Sequence, residues 1–261
     1  MKFSVDDVEA TLHRLFIRAE GTRLRKEDRQ KVLELVPLLD EVARVAKKSG
    51  GVLVDACAGK SPLGLVAAAL VLPSTWRVVV VERDPKRAEA ARVAAQQVER
   101  RVEVIEADVA SEIGRAAIAA ADVVVALHAC GPASDVIIDV VNTAQPRHVL
   151  LVPCCYGAHP AAHETHVIVG QQAAHRFVEQ IPRQGLVGRR FAAAMIDSER
   201  TLRLEAGGFD VEVVEFVGAT VTPHNLLWRA RRGLDERRAQ EARAKRAVLI
   251  GASDRAPSNS C

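Results

Sequence analysis

Aromatic residues are scarce in this chain: two Trp, one Tyr and six Phe make up 3% of 261 residues. So few rings leave little for stacking the bases of a single-stranded nucleic acid. Long apolar runs are missing as well. No stretch approaches the ~20 residues that cross a bilayer, and Met1-Lys2-Phe3-Ser4-Val5-Asp6-Asp7 has no apolar signal core. The expectation by elimination is a cytoplasmic protein with no membrane partner. The five cysteines, Cys57, Cys130, Cys154, Cys155 and Cys261, are too few for a disulfide scaffold, and the first four lie in apolar, strand-like surroundings. Reduced thiols are expected. Nor does charge of one sign dominate: 36 Lys and Arg face 33 Asp and Glu, a net +3. That balance neither demands nor excludes a nucleic-acid partner.

What is present is core-forming material, 49% hydrophobic against 26% charged residues, enough for one large domain. Ser4 with Asp7 three residues on can cap a helix carrying Val5, Val8, Leu12, Leu15 and Phe16. A second helical stripe, Val32, Leu35, Val36, Leu39, Val42 and Val45, runs from about Lys26 to Lys47 with Pro37 inside it, and stops at Ser49-Gly50-Gly51. Residues 1–48 therefore read as an N-terminal helical extension.

From there, short apolar runs alternate with helical segments, the mark of a parallel sheet covered on both faces. The runs are Val52 to Asp55, Val78 to Glu82, Val102 to Glu106, Val123 to Leu127 and Val149 to Val152. A helix over Phe191 to Ala206 closes at Gly207-Gly208, and two strands, Phe209 to Val217 and Leu226 to Ala230, follow without a helix between them. The predicted fold is α/β: a seven-stranded, Rossmann-like methyltransferase sheet, mostly parallel with a closing antiparallel hairpin, over residues 49–232. Residues 233–261 read as a charged helix and a tail.

In such a sheet, ligands bind beyond the carboxyl ends of the central strands. The first strand leads into Asp55-Ala56-Cys57-Ala58-Gly59, where glycine lets a ligand approach the backbone. Glu82 ends the second run, placed to accept the hydroxyls of an adenosine ribose, and Asp108 follows the third, in reach of an adenine amino group. Asp84-Pro85 reads instead as an N-cap followed by proline at the first helical position. Two other nucleotide folds fail on spacing. Gly59-Lys60-Ser61 lacks the P-loop glycine, because Val54 stands five positions earlier, and no G-x-G-x-x-G is formed by Gly59 and Gly64. The cofactor expected is S-adenosyl-L-methionine (SAM), held by Asp55, Ala56, Cys57, Gly59, Glu82, Arg83, Asp108, Val109, Leu127 and His128.

Three blocks sharpen this: Ala126-Leu127-His128-Ala129-Cys130-Gly131-Pro132-Ala133-Ser134-Asp135, Val152-Pro153-Cys154-Cys155-Tyr156, and Val221-Thr222-Pro223-His224-Asn225. Over roughly Leu35 to Arg231 the chain resembles one group of class I SAM-dependent methyltransferase domains. The group includes the tRNA 2′-O-methyltransferase of the acceptor stem, methyltransferase-like protein 25, and the methyltransferase domain of glutathione S-transferase C-terminal domain-containing protein. Cys57 departs from the glycine common in methyltransferase turns. The resemblance implies the cofactor; the group's members differ in their acceptors.

Methyl transfer to oxygen or nitrogen needs alignment, and a base if the acceptor carries a proton. The catalytic candidates are His128 as base, Asp135 as an orienting group, and Cys130, each weighed against a purely structural loop or buried thiol. Thiol addition to a pyrimidine, with Cys130 and Cys154 or Cys155, is disfavoured because those enzymes carry Asp-Ala-Pro-Cys where this chain has Leu127-His128-Ala129-Cys130. The Asn/Asp-Pro-Pro-aromatic signature of base-amine methyltransferases is also absent. Cys154, Cys155, His159, His163 and His166 have spacing compatible with zinc, but Pro160 and the Ala/His composition suit a loop or lid better, so no metal is assigned. Tyr156 can stack on a planar acceptor. Arginines concentrate after residue 175: Arg176, Arg183, Arg189, Arg190, Arg200 and Arg203, then Arg229, Arg231, Arg232, Arg237, Arg238, Arg243 and Arg246, with Lys245. They favour RNA, tRNA or rRNA, as acceptor over a small molecule; a SAM-fold module that binds without catalysis is the third reading.

Overall fold

The computed structural model describes residues 3–17, 26–46, 49–129, 131–153 and 184–251, together with 170, 173, 174 and 177. Helix α1 (Val5–Leu12) continues into a π turn, His13–Ile17, and is followed by α2 (Lys26–Val45). The α/β core then runs β1 (Gly51–Ala56), α3 (Pro62–Leu70), β2 (Trp76–Glu82), α4 (Pro85–Ala95), β3 (Arg101–Glu106), α5 (Glu112–Ala119), β4 (Val123–Ala129), α6 (Ala133–Ala144) and β5 (His148–Pro153). Helix α7 (Gly185–Ala206), the hairpin β6 (Phe209–Glu215) and β7 (Leu226–Arg232), and α8 (Glu236–Ile250) complete the chain's described part.

The expected local signals operate. Ser4 and Asp7 form a reciprocal capping box, and Asp84 caps α4 ahead of Pro85 by accepting from the Arg87 amide. All seven strands join one sheet in the order β3-β2-β1-β4-β5-β7-β6, with β7 antiparallel to both β5 and β6. Period-two alternation divides its side chains between two cores. Leu53, Val78, Val80, Val123, Val125, Leu150, Val152 and Leu227 meet α1, α2 and α3. Val54, Val79, Val81, Val124, Ala126, Val149, Leu151 and Trp228 meet the α5–α6–α7 side.

The N-terminal helices are part of the first core, since Val8, Leu12 and Leu15 pack with Leu35, Leu39 and the strand residues above. The exposed edge strand β3 carries Arg101, Glu103 and Glu106, charges that discourage further strand pairing.

Between α6, α7 and α8 the second core holds charge. Arg200 and Arg203 are buried, and both pair with Asp135 on the first turn of α6. Glu199, fully buried, takes Arg203 from its own helix and Arg246 from α8 at 2.8 Å. Burial by itself would lower the Arg203 proton affinity, but Glu199, Asp135 and Asp139 outweigh it and hold the guanidinium charged. Removing one member of such a network strands its partners in a low-dielectric interior. Glu199→Ala is expected to cost about 3–5 kcal/mol of folding stability in urea unfolding; a loss below ~1 kcal/mol would show that the network does not support the α6–α7–α8 packing.

Candidate functional site

The carboxyl ends of β1, β2 and β4 meet where the sheet order reverses, between β1 and β4. The turn after β1 is built on backbone most residues avoid. Cys57, Gly59 and Ser61 have φ of 55°, 61° and 56°, an alternation of left-handed residues just before α3. This explains the glycine preference at the Cys57 position, since a side chain there costs on the order of 1–2 kcal/mol.

Two carboxylates hold the turn in place. Asp55, 1% exposed, points into it: its Oδ2 accepts from Ser61 Oγ at 2.7 Å and from the Gly64 amide at 2.9 Å. Gly64 is required by that packing, because a Cβ there would stand 2.7 Å from Ser61 Oγ and 2.9 Å from Asp55 Oδ2. Glu82 joins two loops, accepting from the Gly59 amide at 2.7 Å through Oε2 and from the Asp84 amide at 2.8 Å through Oε1. Asp108 accepts from the Ala110 amide and pairs with Arg83 at 3.3 Å. Ala56 and Val109 are buried beneath, and Leu127 is half-buried at the end of β4.

These residues fit the expected nucleoside ligand. Among the described residues, none other than its chain neighbours comes within 4 Å of where a Gly59 Cβ would stand, leaving open space beside the turn there. Each Glu82 oxygen uses one acceptor position on a backbone amide, and a carboxylate has about four. Capacity remains for ribose hydroxyls. Burial, assisted by the charges of Glu82, Asp108 and Asp55, pushes the Cys57 thiol up to about 12, with Arg83 opposing. It is a protonated thiol at neutral pH.

The end of β4 carries His128. Leu127 pairs with Val152 and Ala129 with Pro153, so His128 is the extra residue of a bulge, and its φ is 60°. Bulges next to active sites re-aim side chains, and left-handed strain on a non-glycine persists only when its surroundings enforce it. Here the enforcing contact is with α2: His128 Nε2 lies 2.8 Å from Oε2 of Glu34, which is 6% exposed. Burial resists ionisation of Glu34, yet the hydrogen bonds from His128 and Lys31 and the charges behind them win, and its pKa falls below the usual glutamate value. An ionised carboxylate only accepts, so Nε2 is the donor in this contact.

Asp135 sits elsewhere, with both oxygens on Arg200 and Arg203. Its observed work is structural: Arg200 also donates to the Gly131 carbonyl, and Ser134 donates to that of Ala129, so the loop leaving β4 is tied at both ends. Cys130, Cys154, Cys155, Tyr156, His159, His163, His166, Arg176, Arg183 and Cys261 lie outside the described residues. Among the described residues no group of His, Cys, Asp and Glu could hold a metal ion, and no helix is long and apolar enough to cross a membrane.

Sequence reasoning missed Glu34, Ser61 and Gly64. For Glu34 the available signal was its position four residues before the buried Leu38, on the inward face of α2.

Burial raises Asp55 from 3.8 to about 7, aided by the Glu82 charge and opposed by the Ser61 and Gly64 hydrogen bonds. The folded state therefore takes up a proton between these values, and stability falls as pH rises through that window. Asp55→Asn stays neutral and can keep both contacts. Its stability relative to the parent is expected to climb by up to ~4 kcal/mol between pH 4 and 7.5 in urea unfolding, and a pH-independent difference would refute the buried, proton-sharing Asp55.

Comparison with known proteins agrees with this geometry. Residues 27–159, slightly more than half of the chain, match a family model described as a methyltransferase domain. Glutathione S-transferase C-terminal domain-containing protein of Bos taurus is 26% identical over 196 residues, covering 69% of this chain and 30% of that protein. The Homo sapiens protein of that name is 25% identical with the same coverage. The chain thus spans about 30% of the length of these relatives. Among solved structures, a Corynebacterium glutamicum protein shares the fold at TM-score 0.50 and 13% identity, covering 90% of this chain and 93% of that one. The SAH-bound Podospora anserina methyltransferase is 15% identical at TM-score 0.46, covering 87% and 86%. With the family match running from α2 through β5, across Glu34, the β1 turn and His128, the chain belongs to the methyltransferase domain family.

Proposed function

We propose that the chain moves the methyl group of SAM to a hydroxyl or N–H of its acceptor, with His128 as general base and Glu34 as the group that orients it. The observation behind this is the strained, bulged His128 held by a buried, ionised glutamate. Bound SAM supplies an electrophilic methyl carbon on a sulfonium. Gly59 and Glu82 would hold its nucleoside part, with Asp55 bracing the turn from behind. His128 would accept the proton released by the acceptor, and Glu34 would stabilise the imidazolium that results. Asp135, tied to two arginines, has no part in this reading.

For the acceptor, ion pairing favours a small molecule. Most of the arginines that suggested RNA have carboxylate partners within the fold. Arg200 and Arg203 are buried, and Arg229 is shared by Glu41 and Glu212. Arg231 and Arg238 meet Asp210, Arg243 meets Glu236, and Arg246 meets Glu199. Each such pairing reduces what is offered to phosphates. Arg189 and Arg190, exposed near the start of α7, support an RNA acceptor as the second reading.

His128→Ala is expected to bind SAM in calorimetry as the parent does and to lose turnover by about 100-fold. Glu34→Gln should fall between the two. Full turnover in His128→Ala would remove it as the base. Labelled SAM incubated with small-metabolite extract and, separately, with total RNA is expected to mark the metabolite fraction; label confined to RNA would overturn the small-molecule assignment.

A further inference from the structure

The β6–β7 connection brings a second histidine to the same end of the sheet. Leu151 of β5 is opposite Trp228 of β7, and continuing that antiparallel register sets Leu226 level with Pro153. On the other side of β5, Ala129 of β4 is also opposite Pro153. His128 and the residues just before Leu226 therefore sit at one level on the two strands that flank β5. With strands ~4.8 Å apart, their backbones are roughly 10 Å from each other, a gap that two imidazoles can bridge around a small polar group.

The connection is fastened. Asn225 donates from Nδ2 to the Val217 carbonyl at 3.0 Å, and the Phe216 amide donates to the Asn225 carbonyl at 3.0 Å. The Val221 amide donates to the Gly218 carbonyl, and the His224 amide donates to Thr222 Oγ1. Thr222 and Asn225 are buried although polar, while His224 between them keeps partial exposure. We infer that His224 is a second acceptor-contacting residue, hydrogen-bonding the methyl acceptor from the side opposite His128.

The electrostatics support the placement. Burial lowers the proton affinity of His224 first, the charge of His128 lowers it further, and Glu34 acts in the opposite direction. Glu34 from α2 and His128 from β4 are thus the charged groups that His224 senses. A neutral His224 offers one donor or one acceptor position to a ligand. The acceptor class this suits has two neighbouring polar atoms, one that gives its proton to His128 and one that binds His224, which fixes the line of attack. In the transfer itself the acceptor lone pair bonds the methyl carbon, the carbon–sulfur pair stays on sulfur, and the proton goes to His128. His224 changes no bond.

The inference rests on the acceptor lying beside His128, and two measurements test it separately. With the protein saturated with S-adenosylhomocysteine, the imidazole NMR titration of His224 is compared in the parent and in His128→Gln. Removing the His128 charge should raise the His224 midpoint by roughly 0.3 pH unit, and superimposable curves would overturn the placement. In transfer to the labelled fraction, His224→Ala should lower kcat/KM about 10-fold or more with the KM for SAM unchanged, and His224→Gln, matched in thermal melting, should recover part of it. Parent-like kcat/KM in His224→Ala would overturn the contact. Loss in His224→Ala beside full activity in His128→Ala would instead refute the base and leave His224 standing.

Discussion

The hydrogen bond between Glu34 and His128 spans 94 residues of sequence and joins the first long helix to the carboxyl end of β4. Left-handed strain at His128 costs on the order of 1–3 kcal/mol. A hydrogen bond to an ionised partner returns about 1.5–3 kcal/mol, so the contact is of the size needed to keep the bulge in place. The helices ahead of the sheet are thereby tied to the chemistry. Helix α2 brings Glu34 to the site through the same face that buries Leu35, Leu38 and Leu39, and core packing sets where the carboxylate stands.

Asp55 and Glu82, the two carboxylates that hold the β1 turn, have opposite orientations. Asp55 turns inward and acts on Ser61 and Gly64, so its effect on a ligand passes through the shape of the turn. Glu82 reaches across to the Gly59 amide and holds the first two strand-end loops at a fixed distance. A carboxylate suits both positions because tight left-handed turns leave amide protons unpaired along their inner side, and each needs an acceptor.

Much of the architecture could be read from the residues. Apolar runs of strand length and two successive strands after Gly207-Gly208 mark seven strands and a closing hairpin, because both are local patterns; the order 3-2-1-4-5-7-6 is set by tertiary pairing. The donor turn was legible for the same reason: Asp55 to Gly59 is one continuous segment. The acceptor side was not. Glu34 is one of many helical acids until tertiary packing puts it against His128. The role of Asp135 was also hidden, since its arginine partners lie 65 and 68 residues further on. Counting arginines could not show which of them are paired, because ion pairing across strands and helices is invisible to composition.

The thiol at Cys57 has a chemical consequence under the proposal that a methyl donor lies beside this turn. Thiolates are the side chains most readily alkylated, and it is the anion that reacts. Burial, which pushes the Cys57 thiol up to about 12, keeps it protonated at pH 7. In the proposed reading, burial and the carboxylates that raise this value would protect the turn from methylating itself, so that a cysteine could occupy a glycine-favouring position without consuming the reagent.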